Sequence, residues 1–130
     1  MRSSSIRIPA HPTIEEIENV INGELSDFGR DAATIENRKY GVSENQVPYV
    51  YGKRDGEWAW LLIYEWPEAD GAANRFVCDV QSRGDDRFAA IICYAIGKAF
   101  GEKIEDDAGF LEAGRDFTVN EFGEMLKRRL

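Results

Sequence analysis

The sequence is poor in histidine and cysteine, two residues on which many metal and catalytic centres depend. It contains one histidine, His11, and two cysteines, Cys78 and Cys93. No Cys-x-x-Cys pair is present, so the ligand spacing of a zinc or redox site is missing. His11 has no acid or thiol at ligand spacing, and general acid–base catalysis needs such a positioned partner. We therefore expect no catalytic residue, no metal and no cofactor, and two buried free thiols.

The sequence also lacks long apolar runs and an excess of basic residues. Its longest apolar stretch, residues 88–97, has half the length needed to cross a bilayer. The N-terminus lacks the apolar core of a signal peptide. Acidic residues number 24 against 16 basic ones, for a net charge of −8. Nucleic-acid binders usually carry the opposite sign, because phosphate neutralisation supplies most of their affinity. We expect a cytoplasmic protein that binds neither nucleic acid nor membrane, whose acidity serves solubility or attracts a basic protein partner.

Length and composition indicate a folded protein of ordinary size. The chain has 130 residues, of which 43% are hydrophobic and 31% charged. These values are typical of a soluble globular domain with its own core. No internal repeat or low-complexity linker interrupts the sequence, so we expect a single domain over residues 1–130.

The tryptophans, in contrast, are concentrated in one short segment. All three tryptophans lie between residues 58 and 66, in a segment that reads as a β-strand. Side chains alternate between the two faces of a strand. One face would then carry Trp58, Trp60, Leu62, Tyr64 and Trp66, and the other Ala59, Leu61 and Ile63.

The residues before this strand predict its hairpin partner. Asp55-Gly56 is a strong signal for a two-residue type I′ turn. That turn pairs Tyr51 with Trp60 and Tyr49 with Leu62, which adds both tyrosines to the tryptophan face. Pro48 cannot donate to a ladder, so the first strand of the hairpin is expected at the sheet edge.

Periodicity and capping signals divide the N-terminal half of the chain. Residues 3–8 alternate weakly and indicate a first strand. The capping box from Thr13 to Glu16 opens an amphipathic helix that Gly23 is expected to end. The stretch from Leu25 to Gln46 fits a short helix or a strand, so both readings stay open. Residues 75–82 alternate again, as a further long strand.

The C-terminal half begins with an unbroken helical stripe over residues 88–100. Asp85 or Asp86 supplies its N-cap, and Gly101 is its natural stop. Residues 102–105 are expected as a short strand, and a second capping box from Thr118 to Glu121 opens a last helix.

These elements predict an α+β fold: a mostly antiparallel sheet of about four to five strands, with two or three helices packed on one face. The tryptophan face must then be buried as core or covered by a terminal segment, a second subunit or a partner. Base stacking on this face is disfavoured, because the signature of RNA-recognition modules is absent and the charge has the wrong sign.

The densest acidic cluster consists of Glu102, Glu105, Asp106 and Asp107. Carboxylates in a loop can bind calcium, but their spacing does not match an EF-hand and Ile104 stands where an oxygen would help. We expect a solvated acidic loop, or one that faces a basic partner.

The segment from Arg83 to Asp107 resembles small immunity proteins of polymorphic and contact-dependent bacterial toxin systems. Its polar start, its alanine-rich helix, its break at Gly101 and its Ile104-Glu105-Asp106-Asp107 ending carry the resemblance. The resemblance implies a cytoplasmic, single-domain inhibitor that occludes a cognate toxin. Those families share no catalytic residues, so no residue role transfers.

Three functional hypotheses follow. The first is a non-enzymatic, toxin-neutralising protein whose partner-binding residues are Trp58, Trp60, Tyr49, Tyr51, Tyr64, Glu105, Asp106 and Asp107. The second is a small-ligand-binding or enzymatic domain with a pocket that uses Tyr49, Tyr64 or His11. The third is a structural homodimer joined through the aromatic faces.

Overall fold

The computed structural model describes residues 2–42, 45–66 and 71–129. Its strands are β1 (Arg2–Ile8), β2 (Thr34–Lys39), β3 (Gln46–Tyr51), β4 (Trp58–Glu65), β5 (Phe76–Ser82), β6 (Lys103–Asp106) and β7 (Arg115–Thr118). Its helices are α1 (Ile14–Asp27), α2 (Asp86–Phe100) and α3 (Val119–Arg129), with a short 3-10 turn at Ala72–Asn74.

The strands form one antiparallel sheet in the order β2-β3-β4-β5-β1-β6-β7. The predicted α+β class is confirmed, but the sheet has seven strands rather than four to five. Of the two further strands, β2 settles as a strand a segment for which both a helix and a strand stayed open, and β7 was not predicted; both carry little hydrophobic signal. β2 buries only Ile35, and β7 is four residues long and buries only Phe117.

The three helices pack on one face of the sheet and enclose a single apolar core. Helix α2 lies over the centre of the sheet and buries every residue from Phe88 to Gly97. Gly97 permits close packing there, because a Cβ atom would lie 3.1 Å from the side chains of Ile104 and Val119, closer than an ordinary van der Waals contact. Cys78 and Cys93 are both buried and free, as predicted. Burial raises the pKa of the Cys78 thiol to about 12, so the thiol is inert at neutral pH.

Helix α1 begins as predicted and ends later than predicted. The Thr13 hydroxyl accepts from the Glu16 N–H, and the Glu16 carboxylate accepts from the Thr13 N–H. The expected stop at Gly23 is wrong, because the helix continues to Asp27. A mid-helix glycine costs about 1 kcal/mol. Complete burial of Leu25 contributes about 2 kcal/mol, which outweighs that cost.

The other helix boundaries agree with the sequence signals. The Asp85 carboxylate accepts from the N–H groups of Arg87 and Phe88, and Gly101 is the C-cap of α2. The second capping box closes between Thr118 and Glu121 at the start of α3. None of the helices in the described ranges is both long enough and apolar enough to cross a membrane.

The register of the β3–β4 hairpin differs from the prediction by two residues. Tyr49 lies opposite Trp60 and Tyr51 opposite Trp58. A type I′ turn needs positive φ at both central residues. Gly56 has φ 85°, but no non-glycine residue in the described part has positive φ, so Asp55 does not adopt the predicted turn. An even shift leaves every side chain on its predicted face.

The predicted edge position of Pro48 is also wrong, because β3 lies between β2 and β4. Pro48 pairs with Asn37 of β2, but the ladder with β4 stops one residue earlier, at Tyr49 opposite Trp60. Proline therefore ends one of the two ladders of β3 rather than marking an outer strand.

Candidate functional site: the open face of the sheet

The face of the sheet opposite the helices, here called the open face, carries the aromatic residues singled out in the sequence. Alternation along β3 and β4 places Tyr49, Tyr51, Trp58, Trp60 and Tyr64 there. Tyr64 is 41% exposed and the adjoining Trp66 is 37% exposed, while the other four are half-buried. We call these six residues together with Tyr40 the aromatic patch.

The rings of the aromatic patch support one another. The Tyr49 ring centroid lies 4.7 Å from that of Trp60 and 5.8 Å from that of Tyr51. The Arg38 guanidinium lies 4.3 Å from the Tyr49 centroid and 4.9 Å from that of Tyr51. Glu36 holds Arg38 through a contact of 2.5 Å. Cation–π and ring–ring contacts of this kind fix ring orientations before any partner arrives.

Tyr40 contacts the other members of the aromatic patch from the residue that directly follows β2. It follows β2, yet its ring centroid lies 5.1 Å from that of Trp60 and its hydroxyl donates to the Gln81 side chain at 2.5 Å. Gln81 is on β5, three strands away from β2. The side chain of Tyr40 therefore reaches across the open face from the end of β2. No local sequence signal marks Tyr40, because its hydrogen bond to Gln81 joins residues 41 positions apart.

An acidic row adjoins the aromatic patch on the open face. Antiparallel pairing aligns Asp79, Ser5, Glu105 and Asp116 across β5, β1, β6 and β7. Asp79 accepts from the Ser5 hydroxyl at 2.5 Å and from the Tyr64 hydroxyl at 3.1 Å. Burial raises the pKa of Tyr64, and the nearby Asp79 carboxylate raises it further. The tyrosine therefore remains a hydrogen-bond donor at neutral pH.

Two members of the acidic row lie directly opposite each other. Glu105 and Asp116 are cross-strand neighbours on β6 and β7. Within the described residues neither carboxylate has an ion-pair partner. Like charges at this position destabilise a sheet. Sequence analysis identified Glu105 but missed Asp79 and Asp116, since the row exists only across strand boundaries.

Asp106 does not belong to the surface, although its neighbours do. It is 0% exposed, and its carboxylate accepts from the Ser4 hydroxyl at 2.7 Å. The same carboxylate accepts from the backbone N–H groups of Phe110, Leu111 and Glu112 at 2.8–3.0 Å. Asp106 therefore organises the loop between β6 and β7 and presents no atom to a partner. The predicted acidic loop is divided: Glu105 and Asp107 face outward, and Asp106 is internal.

No group of three or more potential metal ligands occurs in the described parts of the chain. His11 is exposed, its Nδ1 lies 2.8 Å from the Pro12 carbonyl oxygen, and its ring packs edge-on against Phe76. It lies apart from Tyr49 and Tyr64, with which it was grouped in the pocket hypothesis. The sheet does not bring those three residues into one site.

A charged network fixes the β3–β4 turn to the start of α2. Arg30 pairs with Glu57 at 2.9 Å and with Asp85 at 2.8 Å. Burial alone would raise the pKa of Asp85, but hydrogen bonds from Arg30 and from two backbone N–H groups lower it overall. Gly84 and Gly56 touch backbone to backbone, since a Cβ atom on Gly84 would lie 2.0 Å from the Gly56 carbonyl oxygen. This network fixes the turn that immediately precedes Trp58, the first residue of β4.

A concave region lies among the helices, away from the open face. This cleft of about 350 Å³ is lined by Glu24, Asp27, Phe28, Tyr94, Lys98 and Lys127. Lys98 crosses it to pair with Glu24 at 2.7 Å and lies 5.6 Å from the centre of the Tyr94 ring. The lining charges are therefore partly satisfied within the protein. None of Tyr49, Tyr64 and His11 lines the cleft.

Comparison with known proteins finds no matching family model, no significantly similar curated protein and no significantly similar solved structure. Function must therefore be inferred from the geometry of this chain.

Proposed function

We propose that the protein is a non-enzymatic inhibitor that binds a protein partner on the open face of its sheet. The observation that carries this proposal is the aromatic patch, which no helix in the described ranges covers. Contiguous aromatic surfaces of this kind are unusual on a monomer and typical of interaction sites. Tyrosine and tryptophan are also the residues that dominate binding energy at interface centres.

The order of the patch supports binding over simple surface exposure. Trp60 is held between Tyr40 and Tyr49, and the two tyrosines of β3 are held by Arg38. A pre-ordered side chain loses less conformational entropy when a partner docks. The pre-ordered aromatic patch is therefore suited to tight binding of an apolar protein surface.

The acidic row supports a partner with basic residues. Glu105 and Asp116 repel each other in the free protein, so a cation placed between them would relieve that repulsion. The net charge of −8 would in addition speed encounter with a basic protein. We expect partner contacts at Glu105 and Asp107 and, in revision of the sequence hypothesis, at Asp79 and Asp116 in place of Asp106.

The finer form of the proposal is that the partner is a bacterial toxin and that the protein acts in the cytoplasm. This form rests on the resemblance of the segment from Arg83 to Asp107 to immunity proteins. In the fold that segment forms α2, its glycine cap and β6. It supplies mostly core, with Glu105 and Asp107 as its outward-facing members near the acidic row.

Affinity capture tests the proposal. Immobilised wild-type protein is used to isolate a partner from the source cell, and the dissociation constant of the purified pair is then measured. We expect Trp60→Ala to raise that constant by about 30-fold or more, as for an interface hot spot. Phe28→Ala is the matched control, because Phe28 is a half-buried aromatic residue on the helix side and should leave binding unchanged.

Circular dichroism of each variant separates lost binding from lost folding. Equal binding by wild type and a folded Trp60→Ala variant would contradict the proposal. Co-expression with the product of a neighbouring toxin-like gene tests the finer form: growth should be rescued by wild type and not by Trp60→Ala. Sedimentation of the purified protein addresses the homodimer, which would appear as a dimer that Trp60→Ala dissociates.

A further inference from the structure

The cleft among the helices is built from side chains of all three of them. Helix α2, which packs against both α1 and α3, contributes Tyr94 and Lys98. Helix α1 contributes Glu24 and Asp27, and α3 contributes Lys127. The acidic groups of the cleft therefore come from one helix and its basic groups from the other two. Its volume of about 350 Å³ lies at the small end of the range of known ligand pockets.

Tyr94 brings an unpartnered polar group to this cleft. The residue is only 8% exposed, yet in the described part of the chain its hydroxyl has no hydrogen-bond partner. A buried tyrosine usually pairs its O–H group. The hydroxyl is not among the polar atoms that are sealed from solvent, and Tyr94 lines the cleft. Its open hydrogen-bonding position is therefore available to a ligand in the cleft.

Helix α3 approaches the Tyr94 ring closely at Gly123. A Cβ atom on Gly123 would lie 2.5 Å from Tyr94 Cε1 and 2.9 Å from the Tyr94 hydroxyl oxygen. Lys127 follows Gly123 by four residues, so the two lie on the same face of α3. Among the described residues the Lys127 ammonium has no ion-pair partner. The hydroxyl and the ammonium therefore adjoin in the cleft as two donors, suited to a carboxylate.

Asp27, at the end of α1, supplies the opposite charge. Its carboxylate also has no ion-pair partner within the described ranges. The last turn of α1 contains no basic residue, and the negative end of the helix dipole disfavours a carboxylate at that position. Glu24, one turn earlier, is already paired with Lys98 at 2.7 Å. Asp27 is therefore the acid of the cleft that lacks a cation.

The geometry points to a binding site for a small zwitterion, of the size of an amino acid or a dipeptide. Its ammonium group binds Asp27, and its carboxylate binds Lys127 and the Tyr94 hydroxyl. The four charged side chains of the cleft sum to zero, so a ligand with one charge of each sign meets a favourable charge at both ends. The site lies away from the open face, so this inference does not depend on the proposed function.

Titration of isotope-labelled wild-type protein, followed by NMR, tests this inference. The common free amino acids and their glycyl dipeptides are screened first. The best ligand is then compared with the amine that lacks its carboxylate and with the acid that lacks its amino group. We expect saturable binding of the zwitterion, with shifted signals at Asp27, Tyr94 and Lys127. Loss of either charged end should weaken binding about tenfold or more, because each end makes a charge-assisted hydrogen bond.

Substitutions in the cleft should change which ligand is preferred as well as the strength of binding. Asp27→Asn should bind the deaminated acid as tightly as the zwitterion, and Lys127→Met should do the same for the decarboxylated amine. Tyr94→Phe removes only the hydroxyl and should weaken binding of the zwitterion about fivefold. Asp31→Asn and Lys53→Met are the matched controls, because both residues are exposed and neither lines the cleft, and they should bind like wild type.

Three results would overturn the inference: no saturable binding of any zwitterion, equal binding of the amine or the acid alone, or unchanged ligand preference in folded Asp27→Asn and Lys127→Met. The first two use only wild-type protein, so the test stays decisive if a variant does not fold. Trp60→Ala should bind the zwitterion like wild type. Partner capture that depends on Trp60 without zwitterion binding would retain the proposed function and refute this site, and the converse result would do the reverse.

Discussion

The two faces of β4 differ in what holds their side chains. On the helix face Leu61 is 0% exposed and belongs to a core shared by the helices and the sheet. On the open face Tyr64 is 41% exposed and is held by a hydrogen bond to Asp79. The helix face is therefore organised by burial, and the open face by specific contacts between neighbouring surface side chains. A mutation should act on stability on one face and on binding on the other.

The largest expected effect tests that contrast directly. Leu61→Ala should lower the free energy of unfolding by about 3 kcal/mol, because it removes buried methyl groups and leaves a cavity. Tyr64→Ala should cost less than about 1 kcal/mol, since much of its ring is already in water. Urea denaturation followed by circular dichroism measures both. Equal losses would mean that the open face is as much a part of the core as the helix face.

The next effect compares two adjacent carboxylates. Asp106→Ala should destabilise the protein by about 3 kcal/mol, because it leaves the N–H groups of buried Phe110 and Leu111, the N–H of Glu112 and the buried Ser4 hydroxyl without their acceptor. Asp107→Ala, one residue away and exposed, should change stability by less than about 0.5 kcal/mol. Thermal unfolding of the two variants distinguishes them. A stable Asp106→Ala variant would refute the structural role of that carboxylate.

The smallest expected effect has opposite signs for stability and binding. Asp116→Lys should stabilise the protein by about 0.5 kcal/mol, because it places a cation opposite Glu105 where two carboxylates now face each other. The same change should slow association with a basic partner and reduce the dependence of that rate on salt. Stopped-flow kinetics at two salt concentrations measures the second effect. Glu124→Lys, which adds the same charge at an exposed position of α3 on the helix side of the sheet, is the control for a general charge effect.

Sequence reasoning succeeded where the signal was local. The capping boxes at Thr13 and Thr118 and the boundaries of α2 depend on residues within one or two helical turns of each other. The faces of β3 and β4 followed from alternation alone. They survived a register error of two residues, because an even shift preserves parity.

It failed where the outcome depended on residues far apart. Gly23 did not end α1, because burial of Leu25 outweighed local propensity. The segment of β2 could not be assigned to a helix or a strand, because an outer strand with one buried residue needs little hydrophobicity. Asp106 was grouped with its exposed neighbours, although its partners on β1 and in the following loop place it inside the protein.

By itself the sequence determined the α+β class, the helix starts and the set of aromatic residues that share one side of a strand. The signals for periodicity and capping lie within short segments of the sequence, so they can be recognised without knowledge of the fold. The tertiary structure alone decided that the ladder between β3 and β4 ends next to Pro48, that Tyr40 reaches Trp60, and that Asp79, Glu105 and Asp116 form a row. Those features arise from hydrogen bonds and contacts between strands distant in sequence, and the chain acquires them only when the sheet forms.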